Sequence, residues 1–248
     1  MQDQEIKHRI HEKSLDHFLR FGFSKVTMNE IAEELGMSKK TLYQYFPSKE
    51  DLLAAVVTRL HEDTANQIET IVRRTDIDFL QKLRGALNAL AAFHTKMTPY
   101  FRTDMEKHAP HVCKATDEFG RDRIRVIMAD LVAEGIRERV FRDDIDQELI
   151  VLIYSGALQY LLRPETFNRL NLPVQRIHEI IGSVVIDGIV RPEARSTVAA
   201  QSLLVPDGKN GNGSATASFT SDRGSTAVRR NPESPDARMP YTDSPQQP

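Results

Sequence analysis

The feature that most limits the fold is a helical stripe that is renewed again and again through residue 192. Ile6, Ile10, Ser14, Phe18 and Phe21 recur at spacings of four and three, so they share one face of a helix. Further stripes run through Leu80, Leu83, Leu87, Leu90, His94 and Met97, then through Ile124, Ile127, Met128 and Leu131. Two more follow, at Ile150, Ile153, Tyr154, Ala157, Leu158 and Leu161, and at Val174, Ile177, Ile181, Val184 and Val185. Apolar residues alternating with period two are absent, which argues against a sheet. The expectation is an all-α protein of about nine helices.

Punctuation between the stripes agrees. Gly22 stops the first helix, and Thr27-Met-Asn-Glu30 has the spacing of a capping box for the second, which ends at Gly36. Ser38 caps a short third helix through Phe46, and Pro47-Ser48 opens a fourth that runs past Ile68 to Val72. Beyond about residue 193 the chain turns to Gly, Ser, Asn, Pro, Asp and Thr, so 193–248 is read as a disordered tail. Within it, Arg223, Arg229 and Arg230 offer at most a nonspecific DNA anchor.

A helix, a short turn holding Gly36 and a second short helix form a helix-turn-helix pattern. The formal net charge of -2 rules out a cation-coated surface, and residues 1–60 balance nine basic against nine acidic side chains. Any nucleic-acid contact must therefore come from a local patch. Residues 35–49 supply one, with three lysines and no acid. Ser38 and the amides behind it can face phosphate. Lys39 and Lys40 are point charges, and Thr41 and Gln44 reach base edges. Tyr43, Tyr45 and Lys49 offer phenols and an ammonium to the backbone. Leu42 and Phe46 face inward.

The stretch "FLRFGFSKVTMNEIAEELGMSKKTLYQYFPSKEDLL" closely resembles the DNA-binding segment of the TetR family of bacterial repressors, over about residues 4–64. The resemblance rests on Phe21-Gly22-Phe23, the Thr27 cap, Ile31-Ala32, Gly36-Met-Ser38, Thr41-Leu-Tyr43, Tyr45-Phe46 and Lys49-Glu-x-Leu52. It implies a recognition helix over 38–46 inside a motif at about 27–46. It also implies backbone contacts from Thr27, Tyr43, Tyr45 and Lys49, and base approach by Lys39, Lys40, Thr41 and Gln44. Ser14 departs from the alanine usual in the family. For 65–192 the likeness is architectural: a helical regulatory and dimerisation domain, in which Gly135-Ile-x-x-x-Val140-Phe-Arg-x-Asp144 is similar to a common connecting turn.

The functional expectation is a sequence-specific transcriptional regulator, most simply a repressor released from a pseudo-palindromic double-stranded operator by a small apolar or aromatic ligand. Candidate ligand residues cluster around the Pro99 break: His94, Met97, Tyr100, Phe101 and Asp104, with Phe119, Met128 and Tyr154 opposite. A homodimer is expected through Ile150, Ile153, Ala157, Leu161, Ile177, Ile181, Val184 and Val185, where Ser155, Gly156, Gly182 and Ser183 permit close approach. His108, His111 and Cys113 stand near Pro110 and raise a metal- or thiol-sensor alternative, and an architectural DNA-binding protein is another. No motif of a catalytic site or a bound cofactor is present, so no cofactor and no metal are called for. The single cysteine and the charged amino terminus suggest a reducing cytoplasm, and no apolar stretch is long enough for a membrane.

Overall fold

Polar caps and left-handed glycines set the helix boundaries at the amino-terminal end. In the computed structural model, which describes residues 2–200 apart from the side chains of Gln2, Phe119 and Ala200, α1 spans Gln2–Phe21 and stops at Gly22, whose φ is +87°. Helix α2 (Met28–Leu35) opens on a complete capping box: Glu30 N donates to Thr27 Oγ1 and Thr27 N donates to Glu30 Oε2. It ends at Gly36, with φ +65°. Ser38 then caps α3 (Lys39–Tyr45), and Ser48 caps the long α4 (Lys49–Val72).

The rest of the described chain is helical too. Asp78 and Gln81 form a second capping box at the start of α5 (Phe79–Lys96). Prolines lead α6 (Pro99–His108) and α7 (Pro110–Arg137), where the missing N–H would have had no helical partner anyway. Then come α8 (Gln147–Leu161), α9 (Pro164–Leu170), α10 (Val174–Ile189), a 3-10 turn at Pro192–Ala194 and α11 (Arg195–Ala200). Among the described residues the only β feature is an isolated antiparallel bridge, Phe141 to Val190. The all-α expectation holds.

Two helices exceed the nine expected from the stripes. Helix α9 is seven residues long and closes on Asn171 at φ +49°, too short for a periodic signal. Helix α11 corrects the tail boundary: residues 193–200 are ordered into helix because Val198 is buried against the body core. Residues 201–248, with Arg223, Arg229 and Arg230, lie outside the described residues.

The apolar residues gather in three clusters. The first joins Phe18, Ile31, Leu35, Leu42 and Phe46 of the head to Leu52, Val56 and Leu60 of α4, and also to Phe93, Met97, Phe101 and Met105 of the body. The second holds Ile68 at the far end of α4 with α5, α7, α8 and α10. The third closes α8, α9 and α10 around Leu158, Leu162, Ile177 and Ile181. Helix α4 therefore belongs to head and body alike, and packing shows no seam at residue 64. Gly135 lets the rings of Phe141 and Phe79 pack directly on α7, because a β-carbon there would meet them at 2.5 Å.

Candidate functional site

In the head, the capping groups are partly committed and the lysines are open. Ser38 Oγ accepts from Thr41 N at 3.0 Å and lies 2.7 Å from Thr41 Oγ1, so both hydroxyls stabilise the start of α3. Thr27 Oγ1 is held by Glu30. Lys39, Lys40 and Gln44 are exposed, and Lys39 Nζ stands 5.8 Å from the Tyr43 ring centroid. Tyr43 is exposed, as expected. Tyr45 is not: it is half-buried against the head core, and burial, with Asp3 beside it, raises its phenol's pKa.

Lys49 departs further from its expected role at the flank. Its ammonium donates to Phe23 O at 2.9 Å and Val26 O at 3.0 Å, and sits 4.3 Å from the Phe23 ring centroid. Partial burial lowers its pKa, while Asp104, Glu30 and Glu50 oppose that shift. Two of the three ammonium donors brace the α1–α2 turn, which leaves one for any other partner. Asp104 Oδ2 supports the same turn by accepting from Ser24 N at 2.9 Å.

A cavity of about 730 Å³ opens in the body between α5, α7, α8 and α10. Of the sequence-derived ligand residues, His94, Met97, Met128 and Tyr154 line it. Three do not. Tyr100 is exposed and donates to Asn168 Oδ1; Phe101 is buried in the head core; Asp104 is spent on Ser24 and His108. These three lie on faces of α6 turned away from the cavity, a direction that proximity to Pro99 in sequence does not reveal. The side chain of Phe119 is outside the described residues.

The wall is apolar, with a few polar groups set into it. His61, from α4, is 3% exposed, and neither ring nitrogen has a partner. His94 Nδ1 lies 2.9 Å from Leu90 O, a carbonyl that can only accept, so this nitrogen carries the proton. Behind the wall, Tyr154 Oη bonds His178 Nδ1 at 2.9 Å, and the His94 and His178 rings are 5.0 Å apart. Burial depresses all three imidazoles, His61 and His94 to about 4 and His178 to about 3, so they are neutral at pH 7. Burial also raises the Tyr154 phenol far above its usual range.

At one end Asp117, 4% exposed, accepts from Arg102 and from Arg121 Nη2 at 2.9 Å. Arg125 pairs with Glu148 at 3.2 Å and Asp122 at 3.4 Å. Sequence reading missed His61, Arg102 and Asp117. Asp117 did leave a signal: it follows Cys113 by four and precedes Ile124 by seven, an acid on the apolar stripe. His61 left a fainter one, beside Leu60 on the buried side of α4.

The group at Pro110 does not converge. His108 pairs with Asp104 at 3.0 Å, His111 with Glu50 at 3.1 Å, and Cys113 is buried in the head core. Among the described residues no three His, Cys, Asp or Glu side chains are arranged to hold a metal.

The expected dimer residues also separate. Ile150, Ile177 and Ile181 are buried within the chain, so they are corrected from interface to core; Ala157, Leu161 and Val185 are half-buried. Ile153 at 51% and Val184 at 69% exposure are open, together with Leu149, Leu152, Tyr160 and Ile180. The unpartnered apolar face is rotated toward these residues, and a β-carbon at Gly156 or Gly188 would meet nothing. Stripes on adjacent helices locate an apolar sector but not which edge of it meets its own core.

Comparison with known proteins agrees with this geometry. Residues 10–56 match the family model described as bacterial regulatory proteins, tetR family. The chain is 27% identical over 172 residues to YvaF, an HTH-type transcriptional regulator of Bacillus subtilis (strain 168), covering 69% of this chain and 89% of that protein. Among solved structures, a TetR transcription regulator from Haloarcula marismortui superposes with a TM-score of 0.61 at 20% identity, over 76% of this chain and 100% of that one. FadR from Bacillus subtilis, solved in complex with stearoyl-CoA, gives 0.59 at 14% identity, over 73% and 98%. No described helix is long and apolar enough to cross a membrane. With a complete helix-turn-helix head carried on a helical body, the chain is a DNA-binding transcriptional regulator whose head, over residues 10–56, matches the TetR family.

Proposed function

We propose that this regulator is a homodimeric repressor, released from a pseudo-palindromic operator when a small molecule fills the body cavity. The observation that carries the reading is the double attachment of α4. Its first half, from Leu52 to Leu60, belongs to the head core, and the next residue, His61, stands in the cavity wall. A ligand that changes the seat of His61 therefore acts on the helix that positions the head. In the head, Thr27, Ser38, Lys39, Lys40, Thr41, Tyr43, Gln44 and Tyr45 would contact DNA, with Lys49 adding its one remaining donor. The open face at Ile153 and Val184 supports an isologous contact between α8 and α10 of two chains, which would hold two recognition helices at a set spacing. The relative solved with stearoyl-CoA lends the cavity reading support by analogy of fold alone.

Release of DNA by about a hundredfold needs a ligand that favours the non-binding state by roughly 2.7 kcal/mol. The test begins by footprinting the protein on DNA around its own gene. Apolar and aromatic compounds are then screened for thermal stabilisation of the protein, and the hits are titrated into the operator complex. The reading requires a stabilising compound that also weakens operator binding; hits that stabilise yet never release DNA would remove the inducer role.

A further inference from the structure

The ligand reading leaves open what chemistry the cavity selects, and its polar groups narrow the choice. A buried imidazole with both nitrogens unpartnered is costly, and His61 is in that state. His94 has its proton committed to Leu90 O, which leaves Nε2 as a lone-pair acceptor. The arginines at the wall are partly exposed and already paired. Arg102 and Arg121 share Asp117, and Arg125 has Glu148 and Asp122. Arg163 at the rim is exposed, where an ion pair contributes little.

Resting on the reading of this cavity as the ligand site, we propose that it takes an uncharged, largely apolar molecule carrying a hydroxyl, and that His61 and His94 select that hydroxyl over a carboxylate. A hydroxyl can donate to His94 Nε2 and accept from the protonated nitrogen of His61. A carboxylate only accepts, so it faces the His94 lone pair and would lie buried without a free cation. An ether has the same acceptor-only defect without the charge.

The experiment uses the full chain without DNA, which keeps it independent of operator release. N-phenyl-1-naphthylamine, an uncharged apolar fluorophore, is bound and then displaced by 1-decanol, decyl methyl ether or decanoate at pH 7.5. Decanol is expected to displace it at about a tenfold lower concentration than either competitor, the size of one hydrogen bond. Differences in bulk hydrophobicity are removed by the variants. His61→Leu and His94→Phe should each narrow the decanol-to-ether ratio several-fold, while His61→Gln, which keeps a donor and an acceptor, should preserve it. Circular dichroism verifies that each variant is folded. Decanoate or ether competing as well as decanol, ratios unchanged in both variants, or no displacement by decanol would each overturn the proposal. A decanol that binds as described but leaves the operator occupied would count against the release mechanism and not against this selectivity.

Discussion

His61 and Gly120 occupy each other's space: a β-carbon built on Gly120 would fall 2.1 Å from His61 Nδ1 and 2.2 Å from its Cγ. The ring is thus seated on the bare backbone of α7, at the point where the helix shared by head and body meets the cavity. Gly120→Ala should force the imidazole out and cost about 1–3 kcal/mol in urea unfolding, as overpacking does. In a His61→Ala background the same substitution should cost far less, because the obstructing ring is gone. Equal costs in both backgrounds would show that the two residues do not share this site.

Acid should destabilise the protein through its buried imidazoles. His61, His94 and His178 have folded pKa values below the usual 6.5, so the unfolded chain binds more protons between about pH 6.5 and 4. Stability from this source is full above pH 6.5 and is lost as pH falls toward 4. At pH 5 the deeply buried His61 alone should account for about 2 kcal/mol of the loss. Denaturant melts at pH 7.5 and pH 5 check this, and His61→Leu should shrink the difference by roughly that amount.

Lys49 should act on the turn more than on the salt dependence of binding. Lys49→Met removes two hydrogen bonds to Phe23 O and Val26 O and should destabilise the protein by about 1 kcal/mol. DNA affinity should drop for all sequences alike, with the slope of log K against log salt changing by less than one unit. A full unit of slope lost without any change in melting temperature would restore a purely phosphate-binding role.

Ser14 is fully buried on α1 with no partner for its hydroxyl. Ser14→Ala should therefore stabilise the protein, by about 1 kcal/mol, since it removes an unsatisfied polar group and introduces the better helix former. A lower unfolding midpoint for the variant would mean that the hydroxyl is bonded in solution.

Charge placed on the open face should separate association from folding. Ile153→Glu or Val184→Glu should leave a folded monomer by sedimentation and weaken operator binding. Ile181→Glu should unfold the chain instead, because Ile181 lies in the core formed by α8, α9 and α10. A dimer that survives both surface charges would remove this face from the assembly.

Short-range chemistry in the sequence is enough for the helices and the head. Thr27 with Glu30, Gly36 and Ser38 act within a few residues of themselves, so the caps, the turn and the recognition helix are legible from the residues alone. The stripes likewise mark the long helices, whereas α9 and α11 are too short to repeat. Direction is what only tertiary packing decides. Periodicity assigns a residue to a side of its own helix; the neighbour that covers that side is set by how the helices cross. Hence Ile150, Ile177 and Ile181 go into the core while Ile153 and Val184 stay open, and Phe101 and Asp104 turn to the head instead of the cavity. Lys49 finds carbonyls 23 and 26 residues away. His61, which no motif marks, becomes a cavity group because Gly120 on another helix leaves its ring a seat.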